Sequence, residues 1–155
     1  MFKGHYYHTL DTKNRISIPA KMRKSISDAA NRTVVLTKGF VSKDLGHCID
    51  LYPKNTFALM EESLAKLNPF VQNNARYIRS ILFDAEEQQW DGQYRIIIPQ
   101  PLLEHARIEK EVLVMGFLHK IELWSPKVYR EYEAASPEPM EKISESVMQL
   151  YGQQS

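Results

Sequence analysis

An acid and a guanidinium four positions apart occur twice in this chain, as Asp11 and Arg15 in LDTKNRISIP and as Asp91 and Arg95 in WDGQYRIIIP. In the first copy Asp11 to Asn14 are turn formers: the Asp side chain can accept hydrogen bonds from backbone amides, and Asn tolerates a left-handed conformation. If Ile16 and Ile18 point inward, strand alternation puts Arg15 and Ser17 on the opposite face. A guanidinium beside an exposed turn suits phosphate, or the O6/N7 edge of guanine, which it can grip with two hydrogen bonds. The same spacing also fits a salt bridge that fixes the hairpin and leaves Arg15 solvated, and the motif alone does not separate the two readings.

Charge separates the copies. The net charge of +1 conceals ten Lys/Arg against four Asp/Glu in residues 1–55, and ten against fifteen in residues 56–155. From Met1 to Lys24, six cations face only Asp11. Lys13, Lys21, Arg23 and Lys24 are therefore placed to make the sequence-independent phosphate contacts that dominate affinity for a polyanion. In the second copy Leu103 and Glu104 stand where Arg23 and Lys24 do, and Ile97 replaces Ser17. RIIIP is apolar on both faces, which predicts burial against another layer. The second copy thus reads as a packing half, and Arg15 is favoured over Arg95 as a contact.

Other chemistries find little support. His5 and His8, three apart on a strand, point to opposite faces, a poor start for a metal pair. Cys48 reads as a small structural residue, with Lys120 at the equivalent place in the second copy as if the position tolerates variety. No Gly-rich phosphate loop, no Gly-x-Ser-x-Gly and no run of paired carboxylates with a supporting histidine is present. The expectation is a chain with no catalytic residue, metal, cofactor or small-molecule substrate.

The elements that position the motif are themselves duplicated. TVVLTKGF, from Thr33, answers EVLVMGF, from Glu111; HCIDLYP, from His47, answers HKIELWS, from His119. Extra residues of the first copy gather around Val41 to Gly46, as expected of an exposed loop. Each copy reads as strand, turn, strand, helix, strand, strand. Pro19 and Pro99 end their strands and lead into short helices, the first with Met22 and Ile26 at helical spacing. A helix capped by Asn55 is predicted, with Phe57, Met60, Leu64 and Leu67 as its apolar stripe. Asn68-Pro69 stops it, and a second helix buries Val71, Ala75, Ile78 and Leu82. Ser125-Pro126 opens another helix with Val128, Tyr129 and Tyr132. After the linker ASPEPM, Met140, Ile143, Val147 and Leu150 form an amphipathic tail helix with nothing left in sequence to pack on. With 155 residues, 43% hydrophobic and 25% charged, the chain is of soluble composition, and each half is too small to be stable without a partner. No apolar run approaches the ~18 residues of a membrane span. The N-terminus lacks a secretory core, and a single Cys fits a reducing compartment, so cytoplasm is expected and no membrane partner.

LDTKNRISIPAKMR and WDGQYRIIIPQPLL, each followed by Gly-Phe and His-x-Ile-acid-Leu-aromatic strands, resemble the MraZ family from Met1-Phe2 to about Tyr132. The resemblance implies an α+β, mainly β fold: tandem swapped-hairpin AbrB-like half-barrels with connecting and C-terminal helices. It divides the chain into a first repeat (1–54), a helical connector (55–83), a second repeat with its following helix (84–135) and a tail helix (136–155). It further implies a transcriptional regulator in the cytoplasm and nucleoid. Such a regulator binds double-stranded DNA at repeated boxes upstream of its own division and cell-wall gene cluster, as a ring-shaped homo-oligomer. The family's DNA-binding motif maps to Asp11 and Arg15, and to Asp91 and Arg95; basic residues of related AbrB-like DNA binders fall on Arg23 and Lys24. Where the family has Gly before each Arg, this chain has Asn14 and Tyr94. Tyr turns left-handed only at a cost, so the second turn is expected to differ in shape and Arg95 to aim differently. The competing reading is an oligomeric protein-binding or assembly module without sequence-specific DNA readout.

Overall fold

The computed structural model describes residues 1–154. Its strands are β1 (His5–Thr9), β2 (Arg15–Ser17), β3 (Thr33–Ser42), β4 (Gly46–Pro53), β5 (Glu86–Gln89), β6 (Arg95–Ile97), β7 (Glu111–Phe117) and β8 (Lys120–Trp124). The helices are α1 (Ala20–Arg23), α2 (Lys54–Ala65), α3 (Gln72–Phe83), α4 (Gln100–Ala106), α5 (Pro126–Ala134) and α6 (Met140–Gln154). Each repeat follows the order read from the sequence, but the repeats do not fold side by side. The first strand of each is lent to the other: β1 pairs with β7, His5 opposite Met115, and β5 pairs with β3, Leu36 opposite Glu86. The result is one antiparallel sheet of order β1-β7-β8-β4-β3-β5.

A separate ribbon closes the core. β2 and β6 pair antiparallel, Ile16 opposite Ile96, and the ribbon is extended at both ends by Ile18 N–H to Tyr94 C=O (2.9 Å) and Ile98 N–H to Asn14 C=O (2.8 Å). Alternation sends Ile16, Ile18, Ile96 and Ile98 inward, where all are buried against Val34, Leu36, Ile49 and Leu51 of one repeat and Val112, Val114, Ile121 and Leu123 of the other. Fully burying side chains of this size contributes about 1.5–3 kcal/mol each, and most of that gain requires both repeats. Pro19 and Pro99 sit at the N-caps of α1 and α4, and their carbonyls accept the first helical amides.

Several local expectations are corrected. α2 starts at Lys54 with Pro53 at its N-cap, and Asn55 makes no capping bond, because the proline that ends β4 already holds the backbone for helix entry. Of its stripe, Phe57 and Leu64 are buried but Leu67 is exposed. In α3 the fully buried residue is Ile81, whose C=O accepts from Thr37 Oγ1 (2.6 Å); of the expected face Ala75 and Ile78 are half-buried, while Leu82, and Val71 just before the helix, are exposed. α1 ends before Ile26, which packs on the core from the following turn. Ile97 is 51% exposed rather than buried, since a two-stranded ribbon has only one covered face.

The repeated Gly-Phe has a packing cause. A Cβ on Gly116 would meet the backbone of Phe2 and Lys3, whose segment crosses it and bonds to Leu118 through the Phe2 amide (2.6 Å). A Cβ on Gly39 would lie 2.6 Å from Cys48 Sγ and 2.7 Å from Asp50 Oδ1. Gly116→Ala is expected to lift the N-terminal segment, expose buried Phe2 and cost about 1–3 kcal/mol; a thermal midpoint equal to that of the parent would contradict this.

Where α4 meets the β3–β4 end, the ring of His105 stacks on His47 with centroids 5.0 Å apart, and Phe40 meets both edge-on. His105 Nε2 donates to Gly39 C=O (3.0 Å), and Val41 N–H donates to His47 Nδ1 (3.1 Å), which the neutral ring alone can accept. Burial lowers both pKa values from 6.5; Arg107 adds to the effect at His47, and the Gly39 bond opposes it at His105. His8, its Nε2 buried without a hydrogen-bond partner, is lowered in the same way. Below 6.5 the unfolded chain takes up protons that the folded one resists, so stability is full above that pH and falls as pH drops toward the lowered folded values. Urea midpoints measured from about pH 7.5 to about pH 5 should therefore decline, and less steeply in His47→Leu.

Candidate nucleic-acid interface

Both motif turns have one geometry. Asp11 Oδ1 accepts from the amides of Lys13 and Arg15, each at 2.9 Å, and its Oδ2 accepts from Arg15 Nε at 2.7 Å. Asp91 repeats this with Gln93 N–H, Arg95 N–H and Arg95 Nε, all at 2.9 Å. The Arg15 amide holds the Asp11 carboxyl below its ordinary pKa, and the Arg95 amide does the same for Asp91. Asn14 and Tyr94 are both left-handed, at φ 58° and 62°. Contrary to expectation, Tyr94 thus leaves the second turn unchanged in shape, and Arg95 is held as Arg15 is.

This geometry joins the two readings of the motif that seemed opposed. The salt bridge exists, but it uses Nε, and the terminal guanidinium nitrogens make no hydrogen bond among the described residues. An acid that grips Nε fixes the direction of the fork while leaving the bidentate edge available. Strand register then places both arginines on the outer face of the ribbon, with Arg15 opposite Ile97 and Ser17 opposite Arg95. That face presents two arginines on a diagonal, separated by Ser17 and Ile97. A two-stranded antiparallel ribbon is of a size that a DNA major groove admits.

Lys13, Lys21 and Lys24 are exposed around the first turn and α1. Arg23 differs from them. It is half-buried, with its guanidinium carbon 3.4 Å from the centroid of the Tyr94 ring, so α1 of one repeat rests on the turn of the other. Sequence reasoning missed Arg32, which joins Arg23 and Lys24 around a cleft that also includes Trp90 and Tyr94. The signal was weak, because Arg32 lies outside the motif and reaches the cleft through two consecutive left-handed residues, Asn31 and Arg32.

Cys48 is the small structural residue read from the sequence, but its position is not a tolerant one. It is fully buried beside Asp50, Glu122 and Lys120 on the outer side of β4 and β8. Cys48 and Lys120, equivalent in the two repeats, meet in one cluster, so the position holds two side chains with different duties. The ligand atoms of Cys48, Asp50 and Glu122 lie within 4.8 Å of one another. The Lys120 ammonium already bonds both carboxylates, at 2.9 and 3.2 Å, and supplies the positive charge there. Burial, with Asp50 and Glu122, pushes the thiol pKa up and keeps Cys48 protonated. His5 and His8 lie on opposite faces of β1, the first exposed and the second half-buried.

Two swapped-hairpin repeats in one chain, closed by a ribbon that carries an Asp-clamped arginine from each, define a tandem AbrB-like protein. A family model described as "MraZ protein, putative antitoxin-like" matches residues 1–80 and again residues 81–150. A protein of Clostridium acetobutylicum is 40% identical over 151 residues, covering 97% of this chain and 99% of its own length. Proteins of Halothermothrix orenii and Carboxydothermus hydrogenoformans are 38% and 32% identical, over 97% and 96% of this chain and 99% and 97% of their own lengths. All three carry the name "Transcriptional regulator MraZ". The chain belongs to the MraZ family.

Proposed function

We propose that the chain is a transcriptional regulator that binds double-stranded DNA sequence-specifically, at repeated boxes upstream of its own division and cell-wall gene cluster. It acts as a ring-shaped homo-oligomer in the cytoplasm, at the nucleoid, and no catalytic role is assigned to it. The observation that carries this reading is the outer face of the β2–β6 ribbon, where Arg15 and Arg95 are each clamped through Nε with the bidentate edge left over. Arg15 and Arg95 read bases; Lys13, Lys21, Arg23 and Lys24 meet phosphates. Asp11 and Asp91 aim the arginines, and Pro19 and Pro99 set the strand-to-helix turns. The names of the relatives support the regulatory role.

The units of the proposal are repeat one (1–54), the helical connector (55–83), repeat two (84–135) and the tail (136–155). Assembly is supported by apolar side chains with nothing covering them: Phe70 is 95% exposed and Phe83 85%, both beside the α2–α3 pair, and α6 exposes Met140, Val147 and Leu150. Among the described residues, no helix is long and apolar enough to cross a membrane. Several modest DNA contacts on one ring gain by effective concentration when the boxes match its spacing.

The same bare surface favours a second reading, an oligomeric protein-binding module without sequence-specific readout. Titration of the purified protein against a duplex of its upstream region decides between them. Salt-sensitive binding that Arg15→Ala weakens supports the regulator, whereas no binding even at low salt removes it. Light scattering on the same sample gives the subunit count.

A further inference from the structure

We propose that Tyr94 is a positioning residue. Its ring fixes the Arg23 guanidinium across the boundary between the repeats and makes the cleft between α1 and the second motif turn a seat for a DNA phosphate. The proposal rests on the DNA-binding reading above.

Three observations converge on this pair. The Arg23 guanidinium lies face-on over Tyr94 at 3.4 Å, a cation–π contact. Its Nε is buried without a hydrogen-bond partner, and no acid is paired with it among the described residues, so the ring is what fixes its direction. An arginine held by a ring keeps its outer nitrogens for a ligand, and one already ordered loses less rotamer freedom on binding. The cleft it borders, of about 630 Å³, is also lined by Lys24 and Arg32, with Asp28 as its one acid, a balance that favours an anion.

The backbone adds a separate argument. Tyr94 holds a left-handed φ of 62°, a conformation that a β-carbon disfavours and that Asn14, its counterpart, takes more readily. Backbone strain of this kind persists where surrounding structure over-determines it, commonly at functional sites. The near-symmetry of the repeats also breaks at this pair. Leu103 stands in Arg23's place and is buried in the core, and Asn14, the counterpart of Tyr94, carries no ring. The seat therefore occurs once per chain, at the end of the ribbon where Lys24 and Arg32 join Arg23.

The test uses the full-length chain. In the free protein, the Arg23 side-chain NMR signals should show an upfield ring-current shift that Tyr94→Gly removes and Tyr94→Phe retains. Against a duplex carrying the upstream repeats, Tyr94→Gly should bind about three- to fivefold more weakly, and Tyr94→Phe like the parent. Because every cation remains in Tyr94→Gly, its salt slope should equal the parent's, while Arg23→Ala lowers the slope by about one. In the Arg23→Ala background, Tyr94→Gly should have no further effect on affinity. A thermal midpoint no lower than the parent's excludes misfolding as the cause. Unchanged affinity in Tyr94→Gly, or losses that add with Arg23→Ala, would overturn the proposal. A parent protein that keeps the Arg23 shift but binds no duplex at low salt instead removes the DNA-binding reading, and the phosphate seat with it.

Discussion

Lys120→Ala is expected to lower the folding free energy by about 3–5 kcal/mol, read as a fall in the urea midpoint. Register sets Asp50 opposite Glu122 on β4 and β8, and both carboxylate side chains are only 8% exposed. The Lys120 ammonium lies between them, 2.9 Å from Asp50 Oδ1 and 3.2 Å from Glu122 Oε2, while Trp124 Nε1 donates to Glu122 Oε1 at 3.1 Å. Burial pushes the Asp50 pKa up against the pull of Lys120; Lys120 is itself held protonated by both acids in spite of burial. Without the lysine, two carboxylates face each other with little water to screen them. If charge is the cause, adding Asp50→Asn and Glu122→Gln to Lys120→Ala should recover most of the loss. No recovery would show that the lysine stem, rather than its ammonium, is what the sheet requires.

Arg15→Ala should weaken duplex binding by about 1–3 kcal/mol, roughly five- to 150-fold, and relax the base preference, if its free edge reads guanine. Arg95→Ala should weaken it by a comparable amount. The two arginines are held alike, and the crossing of the repeats divides the cations between them: Lys13 lies on the turn of Arg15, while Arg23 of α1 rests on Tyr94, beside Arg95. Lys21→Ala should weaken matched and unrelated duplexes alike and reduce the salt slope by about one. A Lys21→Ala protein that changed only sequence preference would reverse this division of roles. Arginine variants that leave affinity untouched while the lysine variants weaken it would leave a phosphate grip with no base readout.

Alternation and repetition made much of this legible before any coordinates. Arg15 and Ser17 oppose Ile16 and Ile18 because a strand has period two, and a proline closes each motif strand because it must. The swap of β1 and β5 came from the resemblance, since no local pattern says which copy of a strand is its partner. Ile97 misled for a physical reason: an apolar run looks the same whether a strand has two neighbouring layers or one. Asn55 misled because the preceding proline pre-empted the cap. The role of Cys48 depends on Lys120, across the sheet and 72 positions later. One signal did point there, for the acid in His-x-Ile-acid-Leu-aromatic recurs in both copies, and a doubled buried acid requires a counter-charge.

The exchange of first strands also has a consequence in time. As the chain leaves the ribosome, His5–Thr9 emerges well before Glu111–Phe117, its ladder partner among the described residues. β3 and β4 can form their hairpin early, but β3 lacks its other neighbour until Glu86–Gln89 appears. The nascent first half therefore carries an unpaired strand and an open core for most of synthesis, and another nascent copy could supply the missing strand. Ribosomes crowded on one message would bring such copies together, so intermolecular exchange competes with self-closure until the second half arrives.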